Sequence, residues 1–129
     1  MLLLDTHVLL WIFSDSGKLS SNAKSAIENN ELCVSIASLW EISIKSSLKK
    51  EEKRLNLPKS FAEIARMCET QGIDILPITV EACERVRSLP HVHEDPFDRM
   101  IMTQAILGGM TLVTKDENIW KYSEVDKIW

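Results

Sequence analysis

Apolar residues along the chain fall into short runs instead of one long block. Five runs have the length of buried strands: residues 2–4, 32–36, 73–78, 111–114 and, more weakly, 125–128. Between them the apolar positions recur at helical spacing, which predicts helices over 6–14, 20–30, 38–50, 60–71, 80–88 and 97–107. Gly72, and the pair Gly108 and Gly109, stand just before the third and fourth runs, where a helix needs a residue that tolerates left-handed backbone at its end. Strands that alternate with helices in this way predict βαβ units and a mostly parallel sheet. In such a sheet the ligand crevice lies beyond the carboxyl ends of the strands, so residues that follow a strand or open the next helix are the ones that carry function.

Composition narrows the class. A chain of 129 residues is one domain's worth of protein, and 45% hydrophobic with 26% charged residues is ordinary for a folded domain, which excludes disorder. Cys33, Cys68 and Cys83 are odd in number with no C-x-x-C among them, so a disulfide scaffold is excluded and reduced, buried thiols are expected. The opening Met1-Leu2-Leu3-Leu4 lacks a basic segment before it and is interrupted by Asp5 and His7, unlike a signal peptide. No stretch approaches the roughly 18 apolar residues of a membrane span, and a cytoplasmic location is expected. The net charge of −4 argues against a protein that holds nucleic acid by a broad positive field.

Four acids stand where the sheet places ligands, and each has an ordinary structural reading. Asp5 follows the first run and suits the N-cap of the next helix. Glu41 stands three residues after Ser38, a capping-box spacing, with Lys45 four residues on as an ion-pair partner. Asp95-Pro96-Phe97-Asp98 reads as cap, first position and third position of a helix. Asp116 suits the cap of a short C-terminal helix. Together they say more, because Asp5, Glu41 and Asp116 each follow a strand and Asp98 opens a helix, which puts all four on one rim. Two like charges about 4 Å apart repel by roughly 4 kcal/mol at an effective dielectric near 20, so such a cluster shifts its pKa values or binds a cation. Oxygen ligands without paired cysteines favour Mg²⁺ or Mn²⁺, and a carboxylate-held ion of that kind serves phosphoryl displacement. Thr6, Ser38 and Thr114 place hydroxyls beside three of the acids, to orient ligands or to serve strand ends and caps.

The sequence resembles the PIN domains, and most closely the small VapC-type ribonuclease toxins of toxin-antitoxin pairs. The matching segments are Leu4-Asp5-Thr6-His7 with Leu9-Leu10-Trp11, Ser35 through Ile42, His93-Glu94-Asp95-Pro96-Phe97-Asp98-Arg99 with Gln104-Ala105, and Leu112-Val113-Thr114-Lys115-Asp116. They occur in the family's order across nearly the whole chain. The resemblance implies a single PIN-like domain over residues 1–129, α/β in class, with three α/β/α layers around a mostly parallel five-stranded sheet. It implies a Mg²⁺- or Mn²⁺-dependent endoribonuclease that leaves a 5′-phosphate and a 3′-hydroxyl, with Asp5, Glu41, Asp98 and Asp116 as catalytic metal ligands. Asp95 and His93 belong to the same motif in a supporting role. The resemblance also implies a homodimer and a small cognate antitoxin that enters the active-site groove.

Residues 45–54 hold five basic residues, Lys45, Lys49, Lys50, Lys53 and Arg54, against Glu51 and Glu52. A stripe of this spacing is ordinarily a solvated helix face. Because it continues the predicted helix of Glu41, Lys45, Lys49, Lys53 and Arg54 are expected to contact the RNA backbone. His91 and His93 form an H-x-H pair without further nitrogen or sulfur ligands and read as a hydrogen-bonding feature. Trp11, Trp40, Trp120 and Trp129 are expected in the core or a dimer interface, and Met67, Met100, Met102 and Met110 as core filling. Two other functions compete. A haloacid-dehalogenase-like phosphatase needs a second acid two residues after the first, where this chain has His7. A catalytically inactive PIN-like scaffold is disfavoured by the presence of all four acids.

Overall fold

Leu2–Leu4 form strand β1, and pairing on both sides makes it the centre of the sheet. The computed structural model describes residues 1–47 and 60–129. Among these, β1 is followed by α1 (Thr6–Ser14), a 3₁₀ turn (Ser16–Lys18), α2 (Ser21–Glu28), β2 (Leu32–Ser35), α3 (Ile36–Ser46), α4 (Phe61–Thr70) and β3 (Ile73–Leu76). Then come α5 (Val80–Val86), α6 (Pro96–Gly108), β4 (Thr111–Val113), α7 (Glu117–Trp120) and β5 (Lys127–Ile128). The strand order is β3-β2-β1-β4-β5, and every pair is parallel, so the sheet is wholly parallel. From β1 the chain builds outward to β2 and β3, then crosses to β4 on the other side. The topological switch point therefore lies between β1 and β4.

Alternation along the short strands separates two cores. Leu2, Leu4, Val34 and Val113 pack with Val8 and Leu9 of α1, Ile42 of α3, and Ile64 and Cys68 of α4. Leu3, Cys33 and Leu112 pack on the opposite face with Ile101, Met102 and Ala105 of α6, and with Ile119 and Tyr122. Strands buried on both faces read as unbroken apolar runs, which is why Leu2-Leu3-Leu4 shows no polar alternation. The three expected layers are present.

Several boundaries differ from the sequence reading. Ser35 ends β2 and caps α3 by accepting from the Ala37 amide, so Ile36 is helical and Ser38 is an interior helix residue. The capping box expected from Ser38 and Glu41 does not form. β3 ends at Leu76 because Pro77 has no amide hydrogen to continue the ladder. Gln104 joins these ends, accepting from the Ser35 hydroxyl at 2.5 Å and donating to the Pro77 carbonyl at 3.2 Å. Gly109 closes α6 with a φ of 59°, and Gly72 follows α4 with a φ of 70°. Cys33 and Cys68 are buried, but Cys83 is exposed on the polar side of α5. Trp11 and Trp129 pack against the first core, whereas Trp40 and Trp120 are exposed and belong to neither. Met102 and Met110 fill the second core, with Met100 packed on its edge. No helix among the described residues is long and apolar enough to cross a membrane.

Candidate active site

Asp5 sits one residue beyond β1, and its amide donates to the Val113 carbonyl at 3.1 Å, which extends the pairing of β1 with β4 to the rim. It occupies the N-cap position of α1 but makes no side-chain cap bond. Its carboxylate instead accepts from the Thr114 hydroxyl at 2.8 Å. The capping explanation for Asp5 therefore fails, and a buried carboxylate at the switch point is left facing other acids. Burial pushes its pKa above the usual carboxylate range; the Thr114 hydrogen bond and the nearby His7 oppose that rise, and Asp116 adds to it.

Asp98 is the third residue of α6. Asp95 caps that helix by accepting from the Asp98 amide at 2.9 Å, with Pro96 at its first position, as the sequence predicts. The Asp98 carboxyl is pushed up to about 7, first by burial and next by the charge of Asp5, with Asp95 and Glu41 adding to the rise. Its contact with His93 Nε2, at 2.7 Å, pulls the other way. Acids drawn from β1, α3 and α6 thus act on one another.

Glu41 lies in the second turn of α3 and is 4% exposed. Its Oε2 pairs with Lys45 Nζ at 2.7 Å, while its Oε1 is buried without a hydrogen-bond partner. A buried carboxylate oxygen without a donor is costly unless something else satisfies it. Lys45 is the one member of the basic stripe among the described residues; Lys49, Lys50, Lys53 and Arg54 lie outside them. Asp116 caps α7, its Oδ1 accepting from the Asn118 and Ile119 amides at 2.8 and 3.3 Å. Thr114 also accepts from the Asp116 amide, so one hydroxyl ties two of the acids together. Thr6 and Ser38, both buried, bond at 2.8 Å and brace α1 against α3 beneath the site.

Single ligand atoms of His93, Asp98 and Asp116 lie within 4.8 Å of one another, spacing suited to a shared cation. The carboxylates of this set and the orphaned Glu41 oxygen fit a divalent ion.

Sequence reasoning passed over Arg99 and Tyr122. Arg99 is buried and donates to the carbonyls of Val86, Leu89, Pro90 and His93 at 2.9 to 3.2 Å. The Tyr122 hydroxyl accepts from the Val92 and His93 amides and donates to the Pro90 carbonyl. Together they fix the loop that delivers His93. Arg99 lies within a quoted motif, but nothing in a sequence marks an arginine as a carbonyl clamp, and Tyr122 sits in an irregular stretch without any signal. Beside the acids opens a cavity of about 660 Å³, lined by Trp40, Phe97, Ile78, Val86 and Met100. Trp40 and Phe97 meet edge to face at 5.2 Å, each immediately before an acid of the site.

A parallel α/β sheet with carboxylates gathered at its switch point defines the class: an α/β protein with an acidic, metal-ready site at the carboxyl rim. The PIN domain family model matches residues 2–127, and the chain belongs to that family. It is 31% identical to Ribonuclease VapC22 of Mycobacterium tuberculosis over 118 residues, 91% of this chain and 88% of that protein. Its fold is similar to VapBC2 from Rickettsia felis, bound to a promoter DNA fragment, with a TM-score of 0.70, 16% identity, and 98% of this chain and 96% of that one covered. VapBC-1 of nontypeable Haemophilus influenzae gives a TM-score of 0.69 at 12% identity over the same shares.

Proposed function

We propose that the protein is a divalent-metal-dependent endoribonuclease and the toxin of a toxin-antitoxin pair. The observation that carries this reading is the set of Asp5, Glu41, Asp98 and Asp116 at the switch point of a PIN-family sheet, with the carboxyls of Asp5 and Asp98 raised by burial and one buried Glu41 oxygen unsatisfied. The 31% identity to a ribonuclease across 91% of the chain supports the RNA substrate. These four acids would hold Mg²⁺ or Mn²⁺. Such an ion supplies a Lewis acid that lowers the pKa of water and neutralises charge on a phosphodiester. The chain's own residues prepare for it. Thr114 orients Asp5, His93 stands against Asp98, and Lys45 balances one oxygen of Glu41.

The similar solved structures are toxin-antitoxin complexes, which supports a small antitoxin as partner. A homodimer is proposed with it. Trp40 is 58% exposed and continuous with the apolar cavity, the kind of surface that a protein partner covers.

The test uses the protein purified free of partner, a pool of structured RNAs, and Mg²⁺ or Mn²⁺. Cleavage should require the metal, stop with EDTA and be lost in Asp5→Asn. Absence of cleavage with either ion, or equal cleavage by the variant, overturns the reading. Phosphate release from small esters would indicate a phosphatase instead.

A further inference from the structure

His93 stands outside the four acids, yet its ring is in direct contact with the Asp98 carboxylate. Its Nε2 lies 2.7 Å from Asp98 Oδ2, and His93, Asp98 and Asp116 each present one ligand atom within 4.8 Å of the others. Around an octahedral ion with bonds near 2.1 Å, neighbouring ligand atoms stand about 3 Å apart and opposite ones about 4.2 Å. The His93–Asp98 separation is already that of neighbouring ligands, and Asp116 lies close enough to join them by side-chain adjustment. Independently, Glu41 Oε1 is buried without a partner on α3, which packs against the α6 of Asp98.

The backbone that carries the imidazole is also held in place. The His93 carbonyl accepts from Arg99 at 3.2 Å and the His93 amide donates to Tyr122 at 2.8 Å, both of them buried side chains. A ligand fixed in this way loses little freedom on coordination.

We propose that His93 is a direct metal ligand through Nε2, alongside Asp98 and Asp116, and that the site for this reason takes Mn²⁺ in preference to Mg²⁺. The proposal rests on the metal-dependent reading above. Mg²⁺ accepts imidazole poorly and prefers oxygen, whereas a transition ion gains from a nitrogen donor. Coordination uses the Nε2 lone pair, so the ring proton resides on Nδ1 in the bound state.

The test reads the ion and not the reaction. In pulsed electron paramagnetic resonance, Mn²⁺ bound to the protein should show coupling to ¹⁴N that converts to a ¹⁵N pattern when histidine is ¹⁵N-labelled. The coupling should vanish in His93→Gln and persist in His7→Gln, which removes the other histidine near Asp5. By calorimetry, His93→Gln should weaken Mn²⁺ binding about tenfold and Mg²⁺ binding far less. Bound Mn²⁺ without nitrogen coupling overturns the proposal and leaves the nuclease reading standing, with His93 then only orienting Asp98. Failure to bind either ion overturns both. Should His93→Gln misfold, labelled wild-type protein still gives the nitrogen result.

Discussion

The Thr114 hydroxyl donates to Asp5 Oδ2 across 2.8 Å, joining the ends of β1 and β4, which are 109 residues apart in sequence. The same oxygen accepts from the Asp116 amide, so Thr114 sets the positions of two acids at once. Thr114→Val keeps the shape and removes both bonds. Divalent-ion affinity, measured by calorimetry, should fall about tenfold, as it does when groups that orient metal ligands are removed. The circular dichroism spectrum should be unchanged. Wild-type affinity in the variant would show that Asp5 needs no such support.

In the metal-free protein Asp98 should contribute most to stability in acid. Asp98 ionises near its ordinary value of 3.8 in the unfolded chain but near 7 in the fold, so between these values the unfolded chain has released the proton and the folded one has kept it. Stability is therefore full below about pH 4 and is lost as pH rises to about 7, by up to about 4 kcal/mol from this group. Buried Asp5, also raised, acts in the same direction. Thermal melts in EDTA should show the melting temperature falling over this window, with a shallower fall in Asp98→Asn. Added Mn²⁺ should raise it more at pH 8 than at pH 5.5. A melting temperature that climbs steadily with pH in EDTA would contradict the account.

The strands and the rim were legible in the sequence because strands buried on both faces must be continuously apolar, and residues after them must lie at one edge of a parallel sheet. Asp95, Pro96 and Asp116 followed from local helix chemistry and stand as expected. Ser35 and Ser38 both suit a cap, and only the actual end of β2 decides between them, so the cap of α3 was misplaced by three residues. Asp5 resembled a cap equally well, and its bond to Thr114 depends on pairing between β1 and β4 that no local pattern shows. Cys83 was placed inside on residue type alone, yet it is exposed on α5; Trp40 and Trp120, expected in the core or a dimer interface, are exposed and so do not belong to the core.

The acids should not be equivalent in catalysis. Asp5→Asn and Asp98→Asn each remove a buried charge from the centre of the site, and RNA cleavage should fall by about a thousandfold or more. Asp116 also caps α7, and asparagine keeps an oxygen that accepts from the Asn118 and Ile119 amides. Asp116→Asn should therefore retain the fold and lower cleavage only about 10- to 100-fold. Initial rates on one RNA, at saturating Mn²⁺, give the comparison. Equal loss in all three variants would make Asp116 as central as Asp5.

Arg99 ought to matter for stability beyond anything a surface arginine contributes. Its guanidinium donates to the carbonyls of Val86, Leu89, Pro90 and His93; removing it takes that donor from the Leu89 and His93 carbonyls, while the Val86 carbonyl keeps the Leu89 amide and the Pro90 carbonyl keeps the Tyr122 hydroxyl. Arg99→Met keeps the apolar stem and deletes every donor, at a cost of about 2–5 kcal/mol. The melting temperature should drop by about 10 °C, and the Val92 and His93 amides, which donate to Tyr122, should exchange with solvent faster than amides of β1. Arg99→Lys should recover little, because one ammonium cannot span carbonyls that two guanidinium nitrogens reach. Divalent-ion affinity should weaken in both variants as His93 loses its fixed position. A melt within about 2 °C of wild type for Arg99→Met would show that the loop holds without its clamp.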